Sequence, residues 1–282
     1  MTRGYEKDKL KLAWNSVSKD WYSIYQWGRT SGAAYTEWIA EWIVESFDLI
    51  RLETAGLRMN RFKTEDHKGQ AQLQTDISQF TEKRFVRAVF NLGEISPLGK
   101  IIDYEVPLKA TGSAEHGDID LLCLASGDLL CVEAKNPQKS ESVLKAILQA
   151  VVYTWLASVH IDKFIDEFKL PMPTRLTPAI LIFRDSASGR QLGHWGNHPH
   201  LAALLQKLDT KLANIAAGRT RFFIIENAVS ETDSCLRLGE VVGGGEKVIF
   251  SSGFDLKIVE WANPGSRLQT APLNPSVLAE LK

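Results

Sequence analysis

Residues 118–135 constrain the fold of this chain more than any other segment of its 282-residue sequence. They consist of two mostly apolar runs, DIDLLCLA and DLLCVEAK, with the dipeptide Ser126-Gly127 between them. Short apolar runs bounded by turn-forming residues are typical of buried β-strands, and glycine permits the backbone conformation of a tight hairpin turn. The sequence therefore predicts a β-hairpin that is buried on both faces.

The register of this hairpin decides which side chains meet across it. A two-residue loop pairs Ala125 with Asp128, and the same register continued along the strands places Asp120 opposite Glu133. A four-residue loop keeps this register, whereas a three-residue loop would break it. Directly opposed side chains have Cβ atoms about 4.5–5.5 Å apart. The hairpin is thus expected to carry two facing carboxylates.

Two facing carboxylates on an otherwise apolar hairpin repel each other, so a positive charge must offset them. Lys135, which shares a strand face with Glu133 and Asp120, is one candidate. A hard divalent cation such as Mg²⁺ is the other, because it prefers oxygen ligands from one or two carboxylates. The alternative is a solvated polar edge of the sheet, and the apolar flanks argue against it. Asp118 lies on the same face, either as a further ligand or as a simple surface acid.

The pattern around the hairpin predicts an α/β fold with a mixed sheet flanked by helices. Alternating apolar residues predict a strand over residues 100–110, with Tyr104 and Val106 on one face. The other predicted elements are helices over residues 78–91, 140–160 and 199–216, and strands over residues 178–184, 221–226 and 255–261.

Changes in composition along the chain indicate three regions. Residues 1–75 are expected to form a helical region and a polar linker, residues 76–230 the α/β core, and residues 231–282 a C-terminal extension. Five of the eight tryptophans lie in the first region. Because apolar residues recur there at three- and four-residue spacing, helices packed on the core are favoured over an aromatic surface that stacks nucleic-acid bases.

Composition limits the function classes. With 33 basic and 34 acidic residues the formal net charge is -1, so nucleic-acid binding has to come from local patches instead of an overall positive charge. No apolar run approaches the ~20 residues of a membrane helix, and the polar N-terminus does not resemble a secretory signal. Three cysteines, an odd number, fit a reducing compartment. We therefore expect a cytoplasmic protein without membrane contact. The hairpin register also predicts that Cys123 and Cys131 are buried on opposite faces of the hairpin.

The hairpin and the helix after it carry motifs of a known family. The stretch GDID at residues 117–120, followed by a strand that ends in VEAK at residues 132–135, resembles the PD-(D/E)XK nuclease superfamily. Gln149 and Tyr153 in the next helix resemble the Gln-x-x-x-Tyr motif of its RecB-like branch. The resemblance covers residues 76–184, and it implies a restriction-endonuclease-like core with the element order α-β-β-β-α-β.

The resemblance implies a metal-dependent nuclease that hydrolyses phosphodiester bonds, with DNA as the expected substrate. Asp120, Glu133 and the Ala134 carbonyl would bind Mg²⁺, for which Mn²⁺ could substitute. Lys135 would position or help to deprotonate the attacking water and stabilise the negative charge that develops on the phosphate. These roles agree with the chemistry of an anionic phosphodiester, which needs a cation to offset its charge during attack by water.

Two helices are expected to complete the site. Gln149 and Tyr153 lie four residues apart on one helix face, and the resemblance implies that they orient the water or the nucleic-acid backbone. The alternative for this pair is a half-buried helix flank. Glu82 stands in the first helix, where the family often places a glutamate, and it is equally explained as a first-turn acid favoured by the helix dipole.

Other residues of the chain are candidate ligands of phosphate or metal. Lys145, Arg84 and Arg87 are candidate phosphate contacts, with solvated side chains as the alternative. Three histidines within residues 194–200 could bind zinc, but they lie in a loop without an adjacent acid or cysteine, so this reading is not favoured. The glycine run at residues 243–245 lacks the spacing of a phosphate-binding loop and predicts a flexible turn.

Two other function classes stay open. A non-catalytic module of the same fold would bind nucleic acid or a partner protein, although nothing physical would then keep two opposed carboxylates in place. A nuclease subunit active only within a larger repair, restriction or defence complex would fit the near-neutral charge and the tryptophan-rich N-terminal region. A homodimer is expected if the protein cleaves both strands of a duplex.

Overall fold

The computed structural model describes the part of the chain that contains the predicted hairpin and the elements around it. The described residues are 44, 62, 82–108, 118–135, 143–171, 175–195, 199–215, 217–240 and 246–261. The helices in these ranges are α1 (Glu82–Leu92), α2 (Val143–Ser158), α3 (Ile161–Phe168), α4 (Ala187–Gly193), α5 (Pro199–Ala213) and α6 (Val229–Cys235). The strands are β1 (Glu94–Ile95), β2 (Gly99–Pro107), β3 (Asp118–Ala125), β4 (Asp128–Ala134), β5 (Arg175–Phe183), β6 (Arg221–Ile225), β7 (Leu236–Glu240), β8 (Glu246–Phe250) and β9 (Ile258–Trp261).

Seven of the described strands form one mixed sheet in the order β1-β2-β3-β4-β5-β6-β9, and β7 pairs with β8 in a separate two-stranded sheet. Strands β1 to β4 are antiparallel neighbours, β4, β5 and β6 run parallel, and β9 returns antiparallel to β6. Each parallel step needs a crossover, and helices supply it: α2 and α3 lie between β4 and β5, and α4 and α5 lie between β5 and β6. The predicted α/β fold with a mixed sheet and flanking helices is confirmed.

The β3–β4 hairpin has the predicted two-residue turn. Ser126 and Gly127 have positive φ angles of 53° and 84°, the conformation that a tight turn between right-twisted strands requires. Ala125 pairs with Asp128, and the antiparallel ladder continues from this pair without a shift. The register predicted from the sequence is therefore confirmed.

Helices and the small sheet cover the two faces of the main sheet. On one face α2 and α5 pack together, and Trp155 is buried there with Leu122 of β3. On the other face lie α1 and the β7–β8 sheet, where the Phe85 ring is 5.1 Å from the Phe183 ring and 6.3 Å from the Phe250 ring, centroid to centroid. The main sheet thus separates two apolar cores.

Cys123 and Cys131 lie in the cores on opposite faces of the sheet, as the hairpin register predicts. Both are buried free thiols. Burial raises the pKa of Cys131 to about 12 and raises the pKa of Cys123 as well. Both thiols therefore stay protonated at neutral pH and pack as small apolar side chains.

Strand β2 departs from the predicted alternation. The alternation places Tyr104 and Val106 on one face, but Tyr104 lies in the core that α1 covers and Val106 in the core that α2 covers. The strand changes face at Glu105, whose φ of 46° is in the left-handed region, and its register against β3 shifts between Ile101 and Asp103. Such irregularities re-aim the side chains that follow them, and strict alternation cannot reveal them.

Arg87 of α1 packs against this irregular stretch of β2. Its guanidinium donates hydrogen bonds to both carboxylate oxygens of Glu105 at 3.1 Å, and its Cζ lies 5.8 Å from the centroid of the Tyr104 ring. Arg87 is only 6% exposed. The prediction that Arg87 contacts phosphate or is solvated is therefore wrong, because its side chain is held in an internal ion pair.

Several short elements were not predicted from the sequence pattern. Helix α3 follows α2 after a turn at residues 159–160, where the predicted long helix ends. Helices α4 and α6 and the strands β7 and β8 are likewise absent from the prediction. The expected strand over residues 255–261 is present as β9, and it completes the main sheet beside β6.

Parts of the predicted organisation lie outside the described residues. These parts are nearly all of residues 1–75, the glycine run at residues 243–245 and the chain after residue 261. Phe62 is described, and it is buried with its ring centroid 4.3 Å from that of Phe164 in α3. This position of the predicted linker therefore belongs to the core.

In the described part of the chain, no single helix has both the length and the apolar composition that crossing a membrane requires. Helices α2 and α3 meet the requirement only when they are taken together, and the chain bends by 84° between them. Most of their apolar side chains are buried in the core beside the sheet.

Candidate active site

The start of β3 and the end of β4 meet at the end of the hairpin that lies away from the turn. The last pair of the ladder joins Leu121 and Val132, so Asp120 and Glu133 are the next residues on the two strands. The Asp120 carboxylate accepts a hydrogen bond from the Ala134 backbone N–H, with 2.8 Å between Oδ2 and N. The hairpin thus brings the acid of β3 against the end of β4, where the register places the facing carboxylates.

Lys135 and Glu133 form a buried ion pair at this end of the hairpin. Lys135 Nζ lies 2.5 Å from Glu133 Oε1, and each side chain is 4% exposed. The backbone N–H of Lys135 donates to the Leu181 carbonyl of β5 at 3.0 Å, so the neighbouring strand fixes the backbone of the lysine. A short charge-assisted contact that is shielded from water holds the ammonium firmly at the carboxylate.

Helix α2 supplies a second acceptor for the lysine. Gln149 Oε1 lies 2.7 Å from Lys135 Nζ, so the ammonium bridges the Glu133 carboxylate and the Gln149 amide. Tyr153, one helical turn further on, hydrogen-bonds to the Gln149 side chain and is 6% exposed. Because residues four apart lie on one helix face, α2 presents both side chains to the lysine end of the hairpin.

Burial and the neighbouring acids raise the pKa of Asp120. That pKa stands well above its usual range, first because of burial and then because of the negative charges of Glu133 and Glu82. The Lys135 ammonium and the Ala134 N–H act in the opposite direction. Since the charge of Glu82 acts on Asp120, α1 brings its first residue to the same end of the hairpin. Three acids and a lysine therefore share one region.

The same charges act on Tyr153. Burial and the negative charge of Glu133 raise the pKa of the phenol, and the charge of Asp120 adds to this increase. The hydrogen bond with Gln149 and the charge of Lys135 lower that pKa, but by less. The phenol therefore remains protonated at neutral pH, and it acts as a neutral hydrogen-bonding group.

The residues at this end of the hairpin carry oxygen groups of the kinds that a hard divalent cation takes as ligands. Asp120, Glu133 and Ala134 present two carboxylates and a backbone carbonyl, and Mg²⁺ typically takes one or two protein carboxylates and completes its shell with water and phosphate oxygens. Within the described ranges, no group of three or more His, Cys, Asp or Glu residues is arranged to hold a metal ion. Because the carboxylates near Asp120 repel one another, a positive charge there is electrostatically favourable.

The other candidate residues of the sequence analysis lie at the start of β3, on α1 and α2, and just after α4. Asp118 opens β3 opposite Pro107, and it is partly buried. Lys145 of α2 and Arg84 of α1 are also partly buried. His194 is exposed just after α4, and the side chains of the other two histidines near it lie outside the described residues.

The contact between Lys135 and Gln149 is the feature of the site that sequence reasoning missed. The two residues are 14 positions apart, and no local spacing pairs them. A signal was present, because alternation places Lys135 on the same face as Cys131, which is the face that α2 covers. The crossover from β4 to its parallel neighbour β5 has to return along the sheet, and this brings α2 over that face.

Comparisons of the chain with family models, with curated proteins and with solved structures found no match. The resemblance to PD-(D/E)XK nucleases is therefore carried by the motif residues alone. A fold by itself does not determine a function, so function has to be argued from the geometry and charges of the site.

Proposed function

We propose that this chain is a metal-dependent nuclease that hydrolyses phosphodiester bonds in DNA. The observation that carries the proposal is the position of Lys135 Nζ, which contacts both Glu133 Oε1 at 2.5 Å and Gln149 Oε1 at 2.7 Å. Asp120 lies at the same end of the hairpin, bound to the Ala134 N–H. Acids, a lysine and an amide from three elements thus converge on one buried position.

The order of the elements supports a restriction-endonuclease-like core. Helix α1, strands β2, β3 and β4, helix α2 and strand β5 follow the order helix, three strands, helix and strand. Two short elements, β1 and α3, are added to this order. The antiparallel pairings of β2 with β3 and of β3 with β4, and the parallel pairing of β4 with β5, place β4 inside the sheet, between β3 and β5.

Asp120, Glu133 and the Ala134 carbonyl would hold Mg²⁺, or Mn²⁺ in its place, at the end of β4. The bound cation would offset the charge of the phosphodiester and lower the pKa of an attacking water. Lys135 would orient that water and stabilise the charge that develops on the phosphate oxygens. Gln149 holds the lysine in place, and Tyr153 hydrogen-bonds to Gln149.

Glu82 and two basic residues extend this scheme. The charge of Glu82 already acts on Asp120, so this acid would add to the negative potential that attracts a cation. Lys145 and Arg84 would contact the phosphates beside the scissile bond. Because the net charge of the chain is -1, such local contacts have to supply the attraction for DNA.

The proposal is tested by a cleavage assay on supercoiled plasmid, linear duplex, single-stranded DNA and RNA, with Mg²⁺, Mn²⁺ or EDTA. We expect DNA to be cut only when a divalent cation is present. Glu133→Gln and Lys135→Gln, shown to be folded by circular dichroism, should reduce the rate by about a hundredfold or more. The matched surface variant Lys207→Met, at an exposed position of α5, should cut as the wild type does.

Two results would contradict the proposal. Cutting that persists in both site variants would place the activity elsewhere or in a contaminant. The absence of cutting on every substrate would exclude a nuclease that acts alone, and would favour the binding-module and partner-subunit alternatives.

A further inference from the structure

We propose that Lys135 occupies the cation position of this site in the metal-free protein, so that a divalent cation has to displace its ammonium from Glu133. The inference rests on the proposed function, because it concerns the metal site of the proposed nuclease. It adds that the lysine has a second role: it competes with the metal for the same carboxylate oxygen.

The geometry of the ion pair is the first argument. Lys135 Nζ lies 2.5 Å from Glu133 Oε1, as close as charged hydrogen-bonding partners approach. Both side chains are 4% exposed, so water contributes little to solvating either charge. A divalent cation bound by the same oxygen would sit where the ammonium now lies, and two cations cannot share that position.

The second argument is that the displaced ammonium has a place to go. Lys135 Nζ already donates to Gln149 Oε1 at 2.7 Å, and this amide is neutral and is not expected to bind the metal. The lysine can therefore release Glu133 and keep a hydrogen-bonding partner on α2. Tyr153 hydrogen-bonds to the Gln149 side chain and helps to hold the amide in position.

A purely structural role for the lysine makes a different prediction. If Lys135 only stabilised the fold, its removal would weaken the protein to the same extent with and without metal. If it competes with the metal, its removal instead leaves Glu133 and Asp120 more attractive to a cation. The metal affinity therefore separates the two roles, whereas stability alone does not.

The test is isothermal titration calorimetry of Mn²⁺ into the full chain without nucleic acid. We expect Lys135→Met to bind Mn²⁺ with a dissociation constant at least about tenfold lower than that of the wild type. The control Lys207→Met, which removes an exposed lysine of α5, should stay within about twofold of the wild type. Glu133→Gln should bind Mn²⁺ at least about tenfold more weakly.

A second variant covers the case in which Lys135→Met does not fold without metal. Lys135→Gln keeps a neutral hydrogen-bond donor near Glu133 and should also bind Mn²⁺ more tightly than the wild type. Equal or weaker binding by the folded lysine variants, with the wild type still binding, would overturn the inference and leave the metal site standing. If the wild type itself does not bind Mn²⁺, the metal site of the proposed function is wrong, and the inference is wrong with it.

Discussion

The hydrogen bond between Gln149 and Lys135 can be tested by its contribution to stability. Its Oε1 accepts a hydrogen bond from the buried Lys135 ammonium at 2.7 Å. Gln149→Met keeps the length and the helix propensity of the side chain but removes the acceptor for Lys135, together with the hydrogen bond to Tyr153. A hydrogen bond to a charged group contributes about 1.5–3 kcal/mol, so we expect the free energy of unfolding to fall by about that amount.

The assay is urea unfolding followed by circular dichroism, with the free energy extrapolated to water. The matched control is Gln206→Met at an exposed position of α5, which should change the free energy by less than about 0.5 kcal/mol. The Lys135→Met background lacks the charged donor. There, Gln149→Met should lower the free energy of unfolding by clearly less than it does in the wild type. This double-mutant cycle isolates the contact between the two side chains.

Two results would refute this reasoning about Gln149. A loss of less than about 0.5 kcal/mol in the single variant would show that the hydrogen bond contributes nothing that water does not replace. An equal loss in the wild type and in the Lys135→Met background would show that Gln149 acts through other contacts. In the second case the amide would not be the acceptor that retains the displaced lysine.

Two further predictions concern other parts of the fold. Asn227 is buried and accepts a hydrogen bond from the Lys257 backbone N–H at 2.7 Å. Asn227→Ala should therefore lower the free energy of unfolding, measured with urea, by about 2–3 kcal/mol. The control Asn214→Ala, at an exposed position, should leave it almost unchanged. Equal losses in these two variants would contradict the role of the buried amide. Burial raises the pKa of Asp209 above its usual range, although two hydrogen bonds from Thr220 act in the opposite direction. Because the folded protein then holds this proton more tightly than the unfolded chain does, the wild type loses stability as the pH rises through the raised pKa. Asp209→Asn should therefore unfold at a higher temperature than the wild type at pH 7 and lose this advantage below about pH 4, whereas a pH-independent difference would contradict the argument.

The hairpin was predictable because its determinants are local. The turn at Ser126 and Gly127 needs residues that tolerate positive φ, and the alternation of side chains then follows from the register. The expected proximity of Asp120 to the end of β4 depends on these two facts alone. The same locality explains why the opposite faces of Cys123 and Cys131 could be predicted.

The rest of the site depends on how distant elements pack. The charge of Glu82 raises the pKa of Asp120 only because α1 packs against the sheet near this site. From the sequence alone, Glu82 is explained equally well as a first-turn acid of its helix. Arg87 reads as a surface cation until β2 changes face at Glu105, 18 residues away, and presents a carboxylate to it. Helix α3 was missed because the predicted helix ends at residue 160, although apolar residues continue at three- and four-residue spacing over residues 161–168.

The two ends of the central strands contrast in their charges. At one end Arg175 pairs with Asp128 at 2.9 Å, and the arginine side chain is 50% exposed, so the pair is solvated and contributes little to stability. At the other end Glu133 and Lys135 are each 4% exposed, and burial and the charge of Glu133 raise the pKa of the nearby Asp120 carboxyl. Apolar side chains of similar size would make such a buried end at least as stable, because buried ion pairs lose the solvation of both charges. The solvated charges at the first end therefore cost the fold little, whereas folding leaves the buried charges at the second end unexplained. Binding a cation beside a phosphodiester is the chemistry we propose for them.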